Sequence, residues 1–255
     1  MGTRKVGCAA CREDQLIFPF TMAFQPIVDL REHCIDAHEA LVRGPNREPA
    51  GDIFARVTDQ NLYAFDQACR VKAIELAARF RLQGQLNINF LPNAVYDPKA
   101  CIRKTLDTAA RTGFPLDRLT FEFTEEEAIV DATHLVNIIA EYRRHGFKIA
   151  IDDFGTSYSG LSRLIDLRPD IIKLDKNFVR DIDTDRLRQA VVAGVASIGA
   201  ETGIKVVAEG FERREEVEAA LASGVRYMQG YFFCKPVFEG VALDTDLAWP
   251  ADAGE

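Results

Sequence analysis

Four helix-like stretches of this chain end on the same signal, a glycine followed at once by an apolar residue: Gly113-Phe114, Gly146-Phe147, Gly203-Ile204 and Gly224-Val225. Glycine accepts the left-handed backbone that closes a helix, and the apolar follower packs back on its last turn. After these stops come the β-rich runs LTFEFTE, KIAIDD, KVVAEG and YMQGY. A chain that repeats helix, glycine stop and strand is an α/β protein with a largely parallel sheet, because parallel neighbours need a crossover helix. LNINF and IIKLD fill the remaining gaps, and MAFQPIVD and IDAHEALVRG open the series, for eight strands in all. Only the short connection from Leu30 to Cys34 separates the opening pair, which predicts an antiparallel hairpin.

Helical periodicity fills the intervals. Leu62, Phe65, Cys69, Ala73, Leu76 and Phe80 form one apolar stripe, Leu135, Ile138, Ile139 and Tyr142 a second, and Leu187, Val191, Val195 and Ile198 a third. Asp97-Pro98 reads as an N-cap followed by a first-turn proline.

Polar residues at the strand ends decide between an open and a closed sheet. In order they are Glu39, Asn89, Glu122, Asp152 with Asp153, Lys173 with Asp175, Glu209 and Gln229. Strands six apart in an open sheet lie roughly 29 Å apart, at about 4.8 Å per strand. Closing the sheet brings all of these ends to one mouth. Asn87 with Asn89, Glu122 with Thr124, and Lys173 with Asp175 are spaced so that each pair shares a face.

The stretch KIAIDDFGTSYSG, Lys148 to Gly160, sharpens the point. It is a buried strand running into two adjacent carboxylates, a glycine and a hydroxyl-rich loop. Paired carboxylates at about 4 Å repel by roughly 4 kcal/mol at an effective dielectric of 20, so the mouth needs cations. The donors are carboxylates and an amide, without His or Cys, which suits Mg²⁺ or Mn²⁺ better than zinc. Adjacent aspartates, one able to bridge, suit two metals that bind phosphate oxygens and acidify a water. Lys173 would add a cation for developing charge, and Arg43 could hold a second phosphate as a bidentate fork.

Composition sets the remaining bounds. A net charge of −8 argues against a duplex nucleic-acid surface, while leaving a small anionic ligand open. The longest nearly apolar run, Ala190 to Ala200, is too short to span a bilayer, and the opening MGTRKVGCAACRED carries no apolar secretory core. A cytoplasmic protein is expected, with the scattered cysteines as thiols. Cys8 and Cys11 form a C-x-x-C pair with no second pair at metal spacing, in a leader expected over residues 1–19. The main domain is expected over residues 20–240, followed by an acidic tail over 241–255.

FQPIVDL, HEALVRG, LNINF, FEFTEEE, KIAIDDFGTSYSG, RPDIIKLDK, VVAEGFE and MQGYFFCKP occur in this order. Together they resemble the EAL-domain family of cyclic di-GMP-specific phosphodiesterases. The resemblance implies a TIM-like (β/α)8 barrel with an antiparallel first strand, Mg²⁺- or Mn²⁺-dependent hydrolysis of cyclic di-GMP to linear pGpG, and a homodimer. It makes Glu39, Asn89, Glu122 and Asp152 ligands of one metal, and Asp152 with Asp153 ligands of a second. Lys173, Asp175 and Glu209 would organise the attacking water with Gln229 in support, and the group that takes the proton stays open. Gln25 and Arg43 would contact the dinucleotide, with Phe232 or Phe233 stacking on a guanine or serving the core. Glu125 would anchor the loop from Phe154 to Ser162, the expected link between the metals and the dimer interface. The rival reading is a non-catalytic member that serves as a cyclic di-GMP receptor or a protein-interaction regulator. Without a recognisable sensor segment, control is expected from a protein partner, from substrate level or from dimerisation.

Overall fold

The computed structural model describes residues 18–95, 97–125, 132–156 and 160–250. Cys8, Cys11 and most of the expected leader lie outside the described residues, as do 157–159 of the loop and the last residues of the expected tail.

The sheet closes. Strand β1 (Thr21–Asp29) and β2 (Cys34–Arg43) form the expected antiparallel hairpin. β3 (Gln85–Asn89), β4 (Leu119–Thr124), β5 (Lys148–Phe154), β6 (Ile171–Leu174), β7 (Lys205–Glu209) and β8 (Tyr227–Gln229) then follow in parallel. β8 pairs antiparallel with β1, which completes a TIM-like barrel of eight strands. A further strand, β9 (Val237–Phe238), extends this seam by pairing with Ala23 and Phe24 of β1. Val and Phe suit a strand, but two residues are too few to show an alternating pattern.

The crossovers carry α1 (Ala50–Phe54), α2 (Leu62–Arg79), α3 (Pro98–Cys101), α4 (Arg103–Thr112), α5 (Ala132–Arg144), α6 (Gly160–Leu167), α7 (Lys176–Val179), α8 (Arg186–Thr202) and α9 (Arg214–Ala222). The four stop glycines adopt φ between 73° and 91°, the left-handed region expected of them. Asp97 caps α3 by accepting from the backbone N–H of Lys99 and Ala100. Among the described residues no helix is long and apolar enough to cross a membrane.

Two apolar layers result. The larger packs the helices on the outside of the barrel, and includes Leu135, Ile138, Ile139 and Tyr142 of α5 as expected. The smaller lies inside it, where Ile27, Ala37, Ala150, Ile171 and Val207 meet on consecutive inward positions. Above this plug the same inward positions turn polar, so the barrel's interior is sealed at one end and charged at the other.

The apolar stripe on α8 is covered in its second half, where Val195 and Ile198 pack against the outer core, and open in its first. Leu187 and Val191 are 73% and 40% exposed, and the helix buries Val192 and Gly199 instead. Leu161 and Ile165, one turn apart on α6, are exposed as well and line the groove that α6 forms with Ile198 and Thr202 of α8. At the C-terminal side, residues 241–250 lie on the barrel: Ala242 and Leu247 are buried, and Asp244 accepts from the backbone N–H of Ile35.

Candidate active site

Register brings the polar strand ends together. Glu39 pairs with Asn87, Asn89 with Glu122, Thr124 with Asp152, Lys173 with Val207 and Glu209 with Gln229 across their ladders. The side chains that project inward therefore form a ring at the mouth. At its centre Lys173, fully buried, places Nζ 2.6 Å from Glu209, 3.1 Å from both Glu122 and Asp152, and 3.3 Å from Glu39.

Amides hold the carboxylates from the sides. Glu39 accepts from Asn89 Nδ2 at 3.0 Å and from Gln229 Nε2 at 2.9 Å. Glu122 accepts from Asn87 Nδ2 at 2.5 Å. Asn87 was legible only as a residue sharing a face with Asn89; its contact shows that the spacing carried a second function, orienting Glu122.

The two aspartates of β5 are separated by backbone geometry. Strict alternation would point Asp152 into the barrel and Asp153 out of it. The β5–β6 register shifts between Ile151 and Phe154, and Asp153 sits at φ 51°. This bulge re-aims one side chain, a use of bulges that is common beside active sites. Asp152 reaches the ring while Asp153 lines the cleft above it.

The cleft, of about 640 Å³, is also lined by Gln25, Leu41, Asp175, Glu209, Gln229 and Tyr231. Asp175 accepts from the N–H of Asn177 at the start of α7, and Gln25 donates to the carbonyl of Cys234. Arg43 stands two residues beyond Leu41, outside the lining, and donates to the carbonyl of Val42. Phe233 is buried against Phe211 and Phe232, which gives it the core role; the aromatic at the cleft is Tyr231, 55% exposed.

Glu125 follows directly on the C-terminal end of β4 and is fully buried. Its carboxylate accepts from the N–H of Gly155 at 2.7 Å, and its backbone carbonyl accepts from Arg163 of α6. Gly155 has φ +93° and a Cβ there would come within 2.5 Å of Phe178, so the chain leaving Asp153 is wedged between Glu125 and α7. Residues 160–162, expected as loop, are the first residues of α6.

Charge in the ring is short on the positive side. Burial pushes the Glu122 carboxyl up to about 8 against the pull of Lys173, with Glu39 and Asp152 adding to the rise. Burial likewise raises Asp152 and, further, Glu209. Glu39 alone is held below the usual range, because Lys173 and the amides of Gln229 and Asn89 outweigh its burial. Burial would depress Lys173, yet the four carboxylates hold its ammonium well above the ordinary value.

Carboxylate oxygens of Glu39, Glu122 and Asp152 lie within 4.8 Å of one another. Three oxygen donors at that spacing, in surroundings that favour added positive charge, fit a hard divalent cation.

A family profile for the EAL domain matches residues 13–236. The chain belongs to the EAL domain family. Among curated relatives, this EAL domain is 39% identical over 233 residues to the probable cyclic di-GMP phosphodiesterase PdeG of Escherichia coli, covering 87% of the chain and 45% of PdeG. It is 29% identical to the probable cyclic di-GMP phosphodiesterase PdeD of the same organism, covering 86% of the chain and 42% of PdeD. The EAL domain thus spans less than half the length of these two relatives. Among solved structures it is similar to a standalone versatile EAL protein from Vibrio cholerae in its c-di-GMP bound form, with TM-score 0.85 and 47% identity over 89% of this chain and 96% of that one. It is also similar to Klebsiella pneumoniae BlrP1 in a manganese and cyclic di-GMP complex, with TM-score 0.84 and 32% identity over 92% and 64% of the two chains.

Proposed function

We propose that this EAL domain hydrolyses cyclic di-GMP to linear pGpG with Mg²⁺ or Mn²⁺. The observation that carries the reading is the ring itself: four carboxylates around one buried lysine at the mouth of a closed barrel. The names of PdeG and PdeD, and the ligands of the two similar structures, support the substrate class.

Two cations would be held by Glu39, Asn89, Glu122 and Asp152 on one side and by Asp152 with Asp153 on the other, supplying the positive charge that phosphate oxygens require and acidifying a water. The protein's own groups do the rest. Gln229 and Asn89 fix both oxygens of Glu39 in direction, and Asn87 does the same for Glu122. Lys173 keeps its proton and holds the carboxylates at bonding distance. Glu209, whose burial raises its proton affinity, and Asp175 bracket the attacking water. Water oxygen joins phosphorus as the bond to the in-line 3′ oxygen breaks; Glu209 takes one proton of the water, and that proton passes on to the departing 3′ oxygen through solvent. Gln25 lines the cleft beside the dinucleotide and Tyr231 offers a ring for one base, while Arg43, outside the lining, would turn from the Val42 carbonyl to meet an outer phosphate.

The exposed apolar face of α6, Leu161 with Ile165, supports a homodimer. Gly155, Glu125 and Arg163 join that face to Asp153 through short polar contacts, so dimer formation and the site share a loop.

The deciding experiment is chromatography of nucleotide products after incubation of the purified protein with cyclic di-GMP and Mn²⁺. Appearance of pGpG is expected. Binding of cyclic di-GMP without turnover would assign the receptor role instead.

A further inference from the structure

The exposed end of β3 is held by charges that are themselves buried. Asn89 closes the strand at the rim, and Phe90 makes the last sheet bond, donating its N–H to the carbonyl of Glu122 at 2.8 Å. The next N–H, on Leu91, has left the ladder, and it donates instead to Asp66 Oδ1 of α2 at 3.0 Å. The other oxygen of Asp66 lies 2.6 Å from the guanidinium of Arg70, one turn further along the same helix. Arg70 is fully buried and donates to the Tyr142 hydroxyl of α5 at 2.7 Å. Its guanidinium stands 5.4 Å from the ring centres of both Phe90 and Phe121.

A buried ion pair is a poor way to gain stability, because an apolar pair of similar volume does as well or better. What this one does that an apolar pair cannot is fix direction. Asp66 grips the backbone two residues after Asn89, and Arg70 faces the ring of the residue between them. We infer that Asp66 and Arg70 are positioning residues for the metal site: they lock the Phe90-Leu91 segment and thereby hold the Asn89 amide against Glu39. This inference rests on the metal-dependent reading above. Sequence gave no sign of it, since both residues fall within a helix whose apolar stripe accounts for its burial.

The experiment compares Mn²⁺ affinity, by calorimetry and by electron paramagnetic resonance, with thermal unfolding measured alongside. The double substitution Asp66→Leu with Arg70→Met removes both charges together and is expected to fold, while weakening Mn²⁺ about tenfold, the lower end of what loss of outer support costs a metal. Asp66→Asn keeps an acceptor for the Leu91 N–H and is expected to stay within threefold of the parent. Arg70→Lys keeps the charge but not the planar fork that reaches Asp66 and Tyr142 together, and is expected to weaken Mn²⁺ at least threefold. If the double variant does not fold, Arg70→Lys decides the matter. Parent-like Mn²⁺ affinity in any folded variant lacking the network overturns this inference alone. A parent protein that binds no Mn²⁺ overturns the metal reading and the inference with it.

Discussion

The ammonium of Lys173 lies 3.1 Å from Oε2 of Glu122, and neither side chain touches solvent. The pair is one spoke of a wheel whose other spokes run to Glu39, Asp152 and Glu209. One cation therefore offsets four acids, and its removal should be felt throughout the barrel mouth.

Lys173→Met is expected to lower stability by about 3–5 kcal/mol in chelator, the usual cost of leaving buried charges without their partner. Mn²⁺ should return more stability to this variant than it adds to the parent. Thermal unfolding with EDTA and with Mn²⁺ measures both. Equal melting of parent and variant in EDTA would show that Lys173 does not balance the acids.

Glu39→Ala and Asp152→Ala each remove an anionic donor from the group of three within 4.8 Å. Each is expected to cut pGpG formation at least about 100-fold, more than outer-support losses typically cost. Near-parent turnover at limiting metal in either variant contradicts the assignment.

Asp29 supplies a pH test away from the site. Burial would raise its carboxyl, but the Arg226 guanidinium and the N–H groups of Arg31 and Glu32 hold it below the usual range. A carboxyl lowered in the folded state stabilises above its unfolded pKa of about 3.9, and that contribution is lost as pH falls through the folded value. Asp29→Asn should therefore cost about 1–3 kcal/mol at pH 7 and progressively less below pH 4. Urea unfolding across that range, showing a constant gap between parent and variant, would remove Asp29 as the source.

Leu161→Lys with Ile165→Lys places two charges on the face of α6 that the fold leaves open. Light scattering should move from a dimer to the 28.5 kDa of one chain, with the melting temperature of the barrel little changed. A dimer that survives both substitutions puts the interface elsewhere.

Much of this was legible from the chain because it follows local rules. Glycine stops, the hairpin and the inward spacing of Asn87, Asn89, Glu122, Lys173 and Asp175 depend on neighbours a few residues away. What escaped depends on partners far along the sequence. The bulge that separates Asp152 from Asp153 exists only against β6. The Asp66–Arg70 pair has meaning only beside Tyr142 and Leu91. The apolar row on α8 is packed at Val195 and Ile198 and open at Leu187 and Val191, since periodicity records that a face is apolar and not what covers it. β9 is two residues long and owes its conformation wholly to β1.

The antiparallel β1 also sets an order of events in time. One of its edges meets β2 within a few residues, but the other waits for Tyr227, Met228, Val237 and Phe238. A chain emerging from the ribosome therefore carries an open strand edge until residues 227–238 have been made, and contacts so distant in sequence slow closure and leave that edge available to other chains. The last seam to close is the one that brings Gln229 to Glu39 and the Cys234 carbonyl to Gln25. A nascent barrel acquires its acidic ring only when its final strand arrives, so no shorter intermediate can display the finished site.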